Sequence, residues 1–170
     1  MSERDPMTQT FDGLWKLLEN NQMFCGLVKA GSRVKYSNTK ARQPAKAEVL
    51  SADFPEVKII PVSGVYNLFA TSNHTHFTKR FQIQVGTGDM RTDEMLFPLE
   101  IAIISAFTHW SEVMLPMTWK GHNFFTKLQM ADAPEGQRQS DIQRGIAGWS
   151  VLMSTSADLY ILTSDLQGVL

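Results

Sequence analysis

The chain has one cysteine among its 170 residues, Cys25, which excludes an intramolecular disulfide framework and a cysteine-cluster metal site. Its first residues carry acids where a signal peptide needs a basic flank and an apolar core. No window holds about eighteen consecutive apolar residues, so no transmembrane helix is expected. We therefore expect one soluble domain over residues 1–170, with a flexible N-terminal segment at 1–7.

An excess of charge of one sign is also absent. Sixteen Lys and Arg oppose seventeen Asp and Glu, a formal net charge of −1 that argues against a dedicated nucleic-acid binder. Nucleotide-binding glycine motifs are lacking too, since Gly86–Asp89 has the composition of a phosphate loop without its spacing. No enzyme signature remains, and we predict no catalytic residue, no metal ligand and no cofactor.

Two helices are predicted from the spacing of apolar residues. Phe11, Leu14 and Leu18 lie on one stripe of an amphipathic helix over about 8–22. A second helix, over about 97–115, is apolar on nearly all sides and has Pro98 in its first turn. Such a helix is covered on more than one side, here by a sheet and by either the first helix or another copy of the chain.

Strand patterns occupy most of the remaining chain. The clearest is residues 77–85, where apolar and polar residues alternate as in a strand with one wet face. A strand near 57–62 contains Pro61, which predicts a strand end or a sheet edge there. The last strand, about 148–162, is long enough to require a bulge, which we place near 154–156. The predicted fold is α+β: a mostly antiparallel sheet of four to five strands packed against two main helices, with a long basic loop.

The basic loop belongs to a segment that has no acid between Asn20 and Lys46. Its cations are Lys29, Arg33, Lys35, Lys40, Arg42 and Lys46. Residues 37–46 are polar and without periodicity, which predicts a mobile loop. The segment is either a solvated loop or an arm that docks on an acidic partner surface or on nucleic acid.

The side chains that could bind a metal or act as nucleophiles have ordinary structural explanations. His74 and His76 share one strand face and have zinc-ligand spacing, but they lie in a turn-rich stretch, 71–76, typical of solvated loops. His122 follows a glycine in a predicted loop and shows no nucleophile partner. Cys25 has apolar neighbours, which favours burial over nucleophilic catalysis. Nine Met, ten Phe and four Trp fit a filled core and an interface equally well.

The order of these elements resembles small neck proteins of long-tailed bacteriophages, especially tail terminator (tail completion) proteins. The resemblance spans roughly residues 10–162, and each motif alone is unspecific. The segments that carry it are Leu14–Leu18, Asp53–Pro61, Phe81–Asp89, Leu96–Leu99 and the closing strand that begins Gly148-Trp149.

The resemblance implies a structural virion protein, assembled in the bacterial cytoplasm, that forms a ring of usually six copies. Such a ring caps the tail tube and joins it to the head connector or head completion protein, and DNA passes through its lumen. By analogy, partner contacts fall on loops 33–46, 71–76 and 131–144. The candidate contact residues are Arg33, Lys35, Lys40, Arg42, Lys46, His74, His76, Asp132, Glu135 and Arg138.

Two alternatives stay open at this point. The chain could be another virion subunit, such as a tail tube or head completion protein. From a different class, it could be a small hydrolase that depends on a metal at His74 and His76 or on Cys25.

Overall fold

The fold is α+β, as predicted. The computed structural model describes residues 3–34, 55–65, 70–71, 73–86, 92–108, 117–131, 139–141 and 146–167. The helices are α1 (Pro6–Asn20), α2 (Gln22–Leu27), α3 (Thr92–Phe107) and α4 (Thr163–Gln167). The strands are β1 (Arg33–Val34), β2 (Glu56–Val65), β3 (Ala70–Thr71), β4 (His74–Gly86), β5 (Thr118–Trp119), β6 (His122–Asn123), β7 (Phe125–Ala131), β8 (Gln139–Asp141) and β9 (Ile146–Leu162).

Seven of the described strands form one sheet. Its main path has the order β1-β2-β4-β9-β7, while β3 pairs with β4 and β8 pairs with β9. All of its pairings are antiparallel except β1 with β2. The five-strand path matches the predicted sheet, and the two short strands add to it. β5 and β6 form a separate hairpin that the sequence did not predict.

The strand β4 lies at the centre of the sheet and confirms the alternation that predicted it. Its odd positions Phe77, Phe81, Ile83 and Val85 are buried on the helix side. The strand begins earlier than predicted, so His74 and His76 lie in β4 and not in a loop. Pairing with β9 extends from His74 to Gly86, and this long ladder gives residues 74–76 their strand structure.

The strand β9 contains the bulge that its length required, but the predicted position is wrong. The register with β4 shifts between Val151 and Met153, so the extra residue is Leu152, not one of 154–156. Leu152 and Met153 are both buried, although they are adjacent. A bulge lets two neighbouring side chains face the same way, which explains how both reach the core.

The helix α1 begins at Pro6, with Asp5 as its N-cap. Pro6 and Met7 are therefore helical, and the predicted flexible segment 1–7 is wrong for these two residues. Proline suits this position because the first helical turn has no partner for its missing N–H. The helix ends at Asn20, and Asn21 caps α2 by accepting a hydrogen bond from the Phe24 N–H at 2.9 Å.

The helix α3 starts five residues before its predicted beginning. Pro98 therefore lies inside the helix and not in its first turn, which corrects the prediction. The helix contacts α1, α2 and β9, so the first helix is one of its neighbours. The predicted C-terminal part of this helix, from 109 onward, lies outside the described residues.

One apolar cluster joins the helices to the inner face of the sheet. Leu14, Leu18, Ile83, Leu99 and Ile103 are fully buried in it. The Phe11 ring on α1 lies 6.3 Å from the Phe81 ring on β4, which places α1 on this face. None of the helices in the described ranges combines the length and the apolar character that a bilayer crossing requires. The predicted basic loop, 37–46, lies outside those ranges.

Candidate interaction surface

The helix α3 presents large apolar side chains to solvent. Phe97 is 61% exposed and Ile101 is 57% exposed, although the opposite side of the helix is buried in the core. The two residues are four apart, so they are neighbours on one helix face. Scattered exposed apolar residues are ordinary, but an adjacent Phe and Ile form a small patch suited to contact with another protein. We call Phe97 and Ile101 the α3 patch.

The outer face of the sheet is polar and carries a group of interacting side chains at its centre. Asp158 of β9 is 9% exposed and accepts a hydrogen bond from the Thr78 hydroxyl of β4 at 2.5 Å. The His76 ring stacks on Tyr160, with 4.5 Å between the ring centres. His76 Nε2 lies 3.5 Å from Asp158 Oδ1. This packing positions His76 on the sheet surface, where 35% of its side chain is exposed.

At one end of the same sheet, Lys58 of β2 is partly buried. Burial of the ammonium group lowers the pKa of Lys58, and the nearby Glu56 carboxylate opposes this by raising it. Lys58 is paired in register with Gln84 of β4 and Val34 of β1. The Lys58 ammonium group is therefore partly removed from water at this end of the sheet.

The β5–β6 hairpin joins the two ends of the described chain. Its turn residues Lys120 and Gly121 have φ values of 50° and 77°, as in the type I′ turns that join two-residue hairpins. The Lys120 N–H donates to Glu3 Oε2 at 2.5 Å, and Lys120 Nζ donates to the carbonyl oxygen of Asp165 in α4. His122 Nδ1 lies 3.0 Å from both carboxylate oxygens of Asp165. We call this group the hairpin junction.

The guanidinium of Arg33 is held by its own chain. It donates two hydrogen bonds to the Val28 carbonyl, at 2.8 and 3.1 Å, and lies 3.6 Å from Glu19. It also lies over the Phe24 ring, at 5.7 Å from the ring centre. Only 12% of the side chain is exposed, so most of its contacts lie within the chain, and its assignment as a partner contact stays a prediction.

Arg33 and His74 lie at opposite ends of the sheet. Arg33 is aligned through Val57 with Val85, near the end of β4, whereas His74 is the first residue of β4. Eleven residues of extended strand separate positions 74 and 85, which corresponds to roughly 36 Å. The structure therefore does not bring these two predicted contact regions together. The other predicted contacts, Lys35, Lys40, Arg42, Lys46, Asp132, Glu135 and Arg138, lie outside the described residues.

The predicted hydrolase alternative depends on Cys25, His74 and His76. Cys25 is half-buried, and its thiol donates to the Glu19 carbonyl at 3.1 Å. The part of the chain that the structure describes contains no cluster of three or more His, Cys, Asp or Glu side chains that could hold a metal ion. None of the three residues is brought into a catalytic arrangement with another within these ranges.

Two features of this surface were missed in the sequence. The pairing of His122 with Asp165 joins residues 43 positions apart, and no local pattern indicates it. The sequence did give an indication of the α3 patch. A helix that is apolar on all sides has more apolar surface than one core can cover. That signal predicted a second covered side but not which residues form it.

No protein-family model matches this chain, and no curated protein matches it.

Proposed function

We propose that this chain is a structural subunit of the neck of a long-tailed bacteriophage, which forms a ring that caps the tail tube and joins it to the head connector. The resemblance of its element order to tail terminator proteins suggests this class. The observation that supports it is the α3 patch, because a subunit that works in an assembly must present apolar surface to its neighbour.

The α3 patch has the composition of a protein interface. Aromatic residues are enriched in interfaces, and the buried centre of an interface is depleted in charge. Phe97 supplies a large apolar area, and the side chains on the opposite side of α3 are already buried in the core. Contact with the next subunit would remove both exposed side chains from water, which favours association.

A ring that ends a tube must have two different faces, because one face binds the tube and the other must refuse a further copy. In this chain the two ends of the sheet carry different side chains, which could provide two different ring faces. Arg33, beside the predicted basic loop, and His74 lie at opposite ends of the sheet. Closed rings are built from contacts between two different patches on each subunit, so all copies point the same way.

The first test is the mass of the protein in solution by light scattering, with negative-stain images of the same fraction. A ring of about six copies, or a monomer or dimer that forms rings on the ends of purified tail tubes, supports the proposal. Long cylinders would assign the chain to the tail tube class. If the protein does not bind purified tails and contains stoichiometric zinc, the proposal is overturned in favour of the hydrolase.

The α3 patch is tested by the double variant Phe97→Ser/Ile101→Ser. Its matched control is Met23→Ser, which removes another exposed apolar side chain, 45% exposed, from the neighbouring helix α2. We expect rings on tube ends with the control and none with the double variant. Ring formation by the double variant would exclude the α3 patch as the contact.

The basic segment is tested separately, by charge reversal of Lys40, Arg42 and Lys46 to Glu. We expect a folded protein that fails to join tails to heads, because the segment is proposed to dock on an acidic partner or on DNA. Infectious particles in normal yield, assembled with this variant, would contradict a docking role for the segment.

A further inference from the structure

The helix α3 carries acids beside its exposed apolar patch. Its 16 residues include three acids, Asp93, Glu94 and Glu100, and no base. Glu94 precedes Phe97 by three residues and Glu100 follows it by three, so both acids are neighbours of the α3 patch on the helix surface. Glu94 is exposed and Glu100 is half-buried. We call Glu94 and Glu100 the acidic rim of the patch.

The basic segment has the opposite composition. Between residues 21 and 46 the sequence contains six cations, from Lys29 to Lys46, and no acid. The formal net charge of the whole chain is only −1, so charges of opposite sign are segregated into α3 and the basic segment. Charge complementarity of this kind determines which surfaces meet when proteins associate.

The two parts belong to different places in the fold. The last described residue before 35–46 is Val34, in β1 at the outer edge of the sheet. The strands β2 and β4 separate β1 from β9, and α3 contacts β9 together with α1 and α2. A closed ring requires two different patches on each subunit, one for the preceding copy and one for the next. The α3 patch and the basic segment are two such patches.

We propose that the α3 patch and its acidic rim bind the basic segment of the next copy in the ring. This inference rests on the proposed function and names the surface that the α3 patch contacts. Phe97 is 61% exposed and Ile101 is 57% exposed in the single chain, so both side chains are available to another copy.

The chemistry of the two surfaces fits at the level of single side chains. A Lys or Arg side chain packs its carbon chain along an apolar surface and directs its charge to a polar neighbour, here an acid of the rim. A cation over an aromatic ring, such as that of Phe97, is attracted to the ring face as well. The segment also contains Tyr36 and Pro44, which add apolar surface for the patch. A patch that is apolar at its centre and acidic at its rim therefore suits a basic segment better than a second acidic helix.

The test uses two charge-reversed variants and purified tail tubes. The first variant is Glu94→Lys/Glu100→Lys, and the second is Lys40→Glu/Arg42→Glu/Lys46→Glu. Each variant alone opposes like charges at every contact, so we expect no rings on tube ends in negative-stain images. In an equimolar mixture, alternating copies bring opposite charges together at every contact of an even-numbered ring, and rings should reappear. A chain that carries both sets of substitutions should form rings by itself.

Two further variants control for charge and for folding. Lys16→Glu reverses an exposed cation of α1 outside the basic segment and should leave the rings unchanged. Glu94 lies in the first turn of α3, where an acid stabilises the helix and a lysine does not. The neutral pair Glu94→Gln/Glu100→Gln is therefore the milder change, and it should lower the yield of rings. Circular dichroism and thermal unfolding measure whether each variant is folded.

The outcomes separate this contact from the ring itself. If the basic segment binds DNA, reversal of the acidic rim alone leaves the rings intact; if it docks on α3 of its own chain, mixing restores nothing. Either result, or a full yield of rings from the neutral pair, would overturn this inference while the natural protein still forms rings. A natural protein that forms no rings would overturn both this contact and the proposed function.

Discussion

The helices α1 and α3 are nearly equal in length but differ in how their apolar residues are used. In α1, of 15 residues, the apolar stripe that contains Leu14, Leu17 and Leu18 is buried, and Lys16 is exposed on the other side. In α3, of 16 residues, the core covers one side and the α3 patch remains exposed on another. The fold buries the whole apolar stripe of α1, whereas it leaves part of the apolar surface of α3 exposed to water.

The comparison of α1 with α3 shows that an apolar residue in a helix can serve either the stability of the single chain or contact with another molecule. A stripe at helical spacing is explained by the stability of the single chain. Apolar residues outside the stripe cost solubility and contribute nothing to that stability, so their presence favours a contact with another molecule. Substitutions in α1 should therefore change folding, and substitutions in the α3 patch should change association.

The largest effect is expected from Leu18→Ala in α1. Leu18 is fully buried, so the substitution leaves a cavity and should lower the free energy of unfolding by about 2–5 kcal/mol. Urea denaturation followed by tryptophan fluorescence measures the change. The control in the same helix is Lys16→Ala, which should change stability by less than about 0.5 kcal/mol. Equal losses in the two variants would show that the stripe is not the stabilising side of α1.

A smaller, pH-dependent effect is expected from Asp5→Ala at the start of α1. Burial raises the pKa of the Asp5 carboxyl, but hydrogen bonds from the Thr8 hydroxyl and from the backbone N–H groups of Thr8 and Met7 outweigh it, so the pKa is lowered. Loss of an N-cap costs about 0.5–2 kcal/mol near neutral pH.

The sign of the pH dependence follows from the lowered pKa. The contribution of Asp5 is fully present above the unfolded-state pKa of about 3.9 and is lost as the pH falls through the folded-state pKa. The difference in stability between the natural protein and Asp5→Ala should therefore be constant from pH 5 to 7 and shrink on further acidification. Thermal unfolding over this pH series measures it, and a difference that grows in acid would contradict the capping role.

The smallest effect on stability is expected from Phe97→Ser/Ile101→Ser, the double variant that should abolish rings. Both side chains are mostly exposed, so the free energy of unfolding should change by no more than about 0.5 kcal/mol for each substitution. Urea denaturation at concentrations where the chain is unassembled measures it. A loss near that of Leu18→Ala would show that the patch belongs to the core.

The parts of the fold that follow from local pattern were predictable. The alternation in β4 and the stripe in α1 each depend on neighbouring residues, and both were identified within a few positions. The position of Pro98 was wrong because proline is tolerated inside a helix when the surrounding packing compensates, which a local preference does not register. The bulge at Leu152 had a local signal, because the three consecutive apolar residues 151–153 interrupt the alternation, whereas the prediction placed the bulge near 154–156.

The candidate contacts were less predictable because they depend on tertiary placement. Arg33 has the charge of a docking residue, yet the carbonyl of Val28 and the carboxylate of Glu19 happen to lie within its reach. His122 finds Asp165 only because α4 folds back beside the β5–β6 hairpin. Neither arrangement is encoded by spacing along the chain.

The hairpin junction has a practical consequence for engineering the protein. Lys120 contacts Glu3 through its backbone and Asp165 through its ammonium group, so the chain enters and leaves the described fold beside the same two-residue turn. An affinity tag fused before residue 3 or after residue 167 would therefore emerge on one side of the molecule. The same proximity makes the protein a good subject for circular permutation, with a short linker across the junction and the chain opened at another loop.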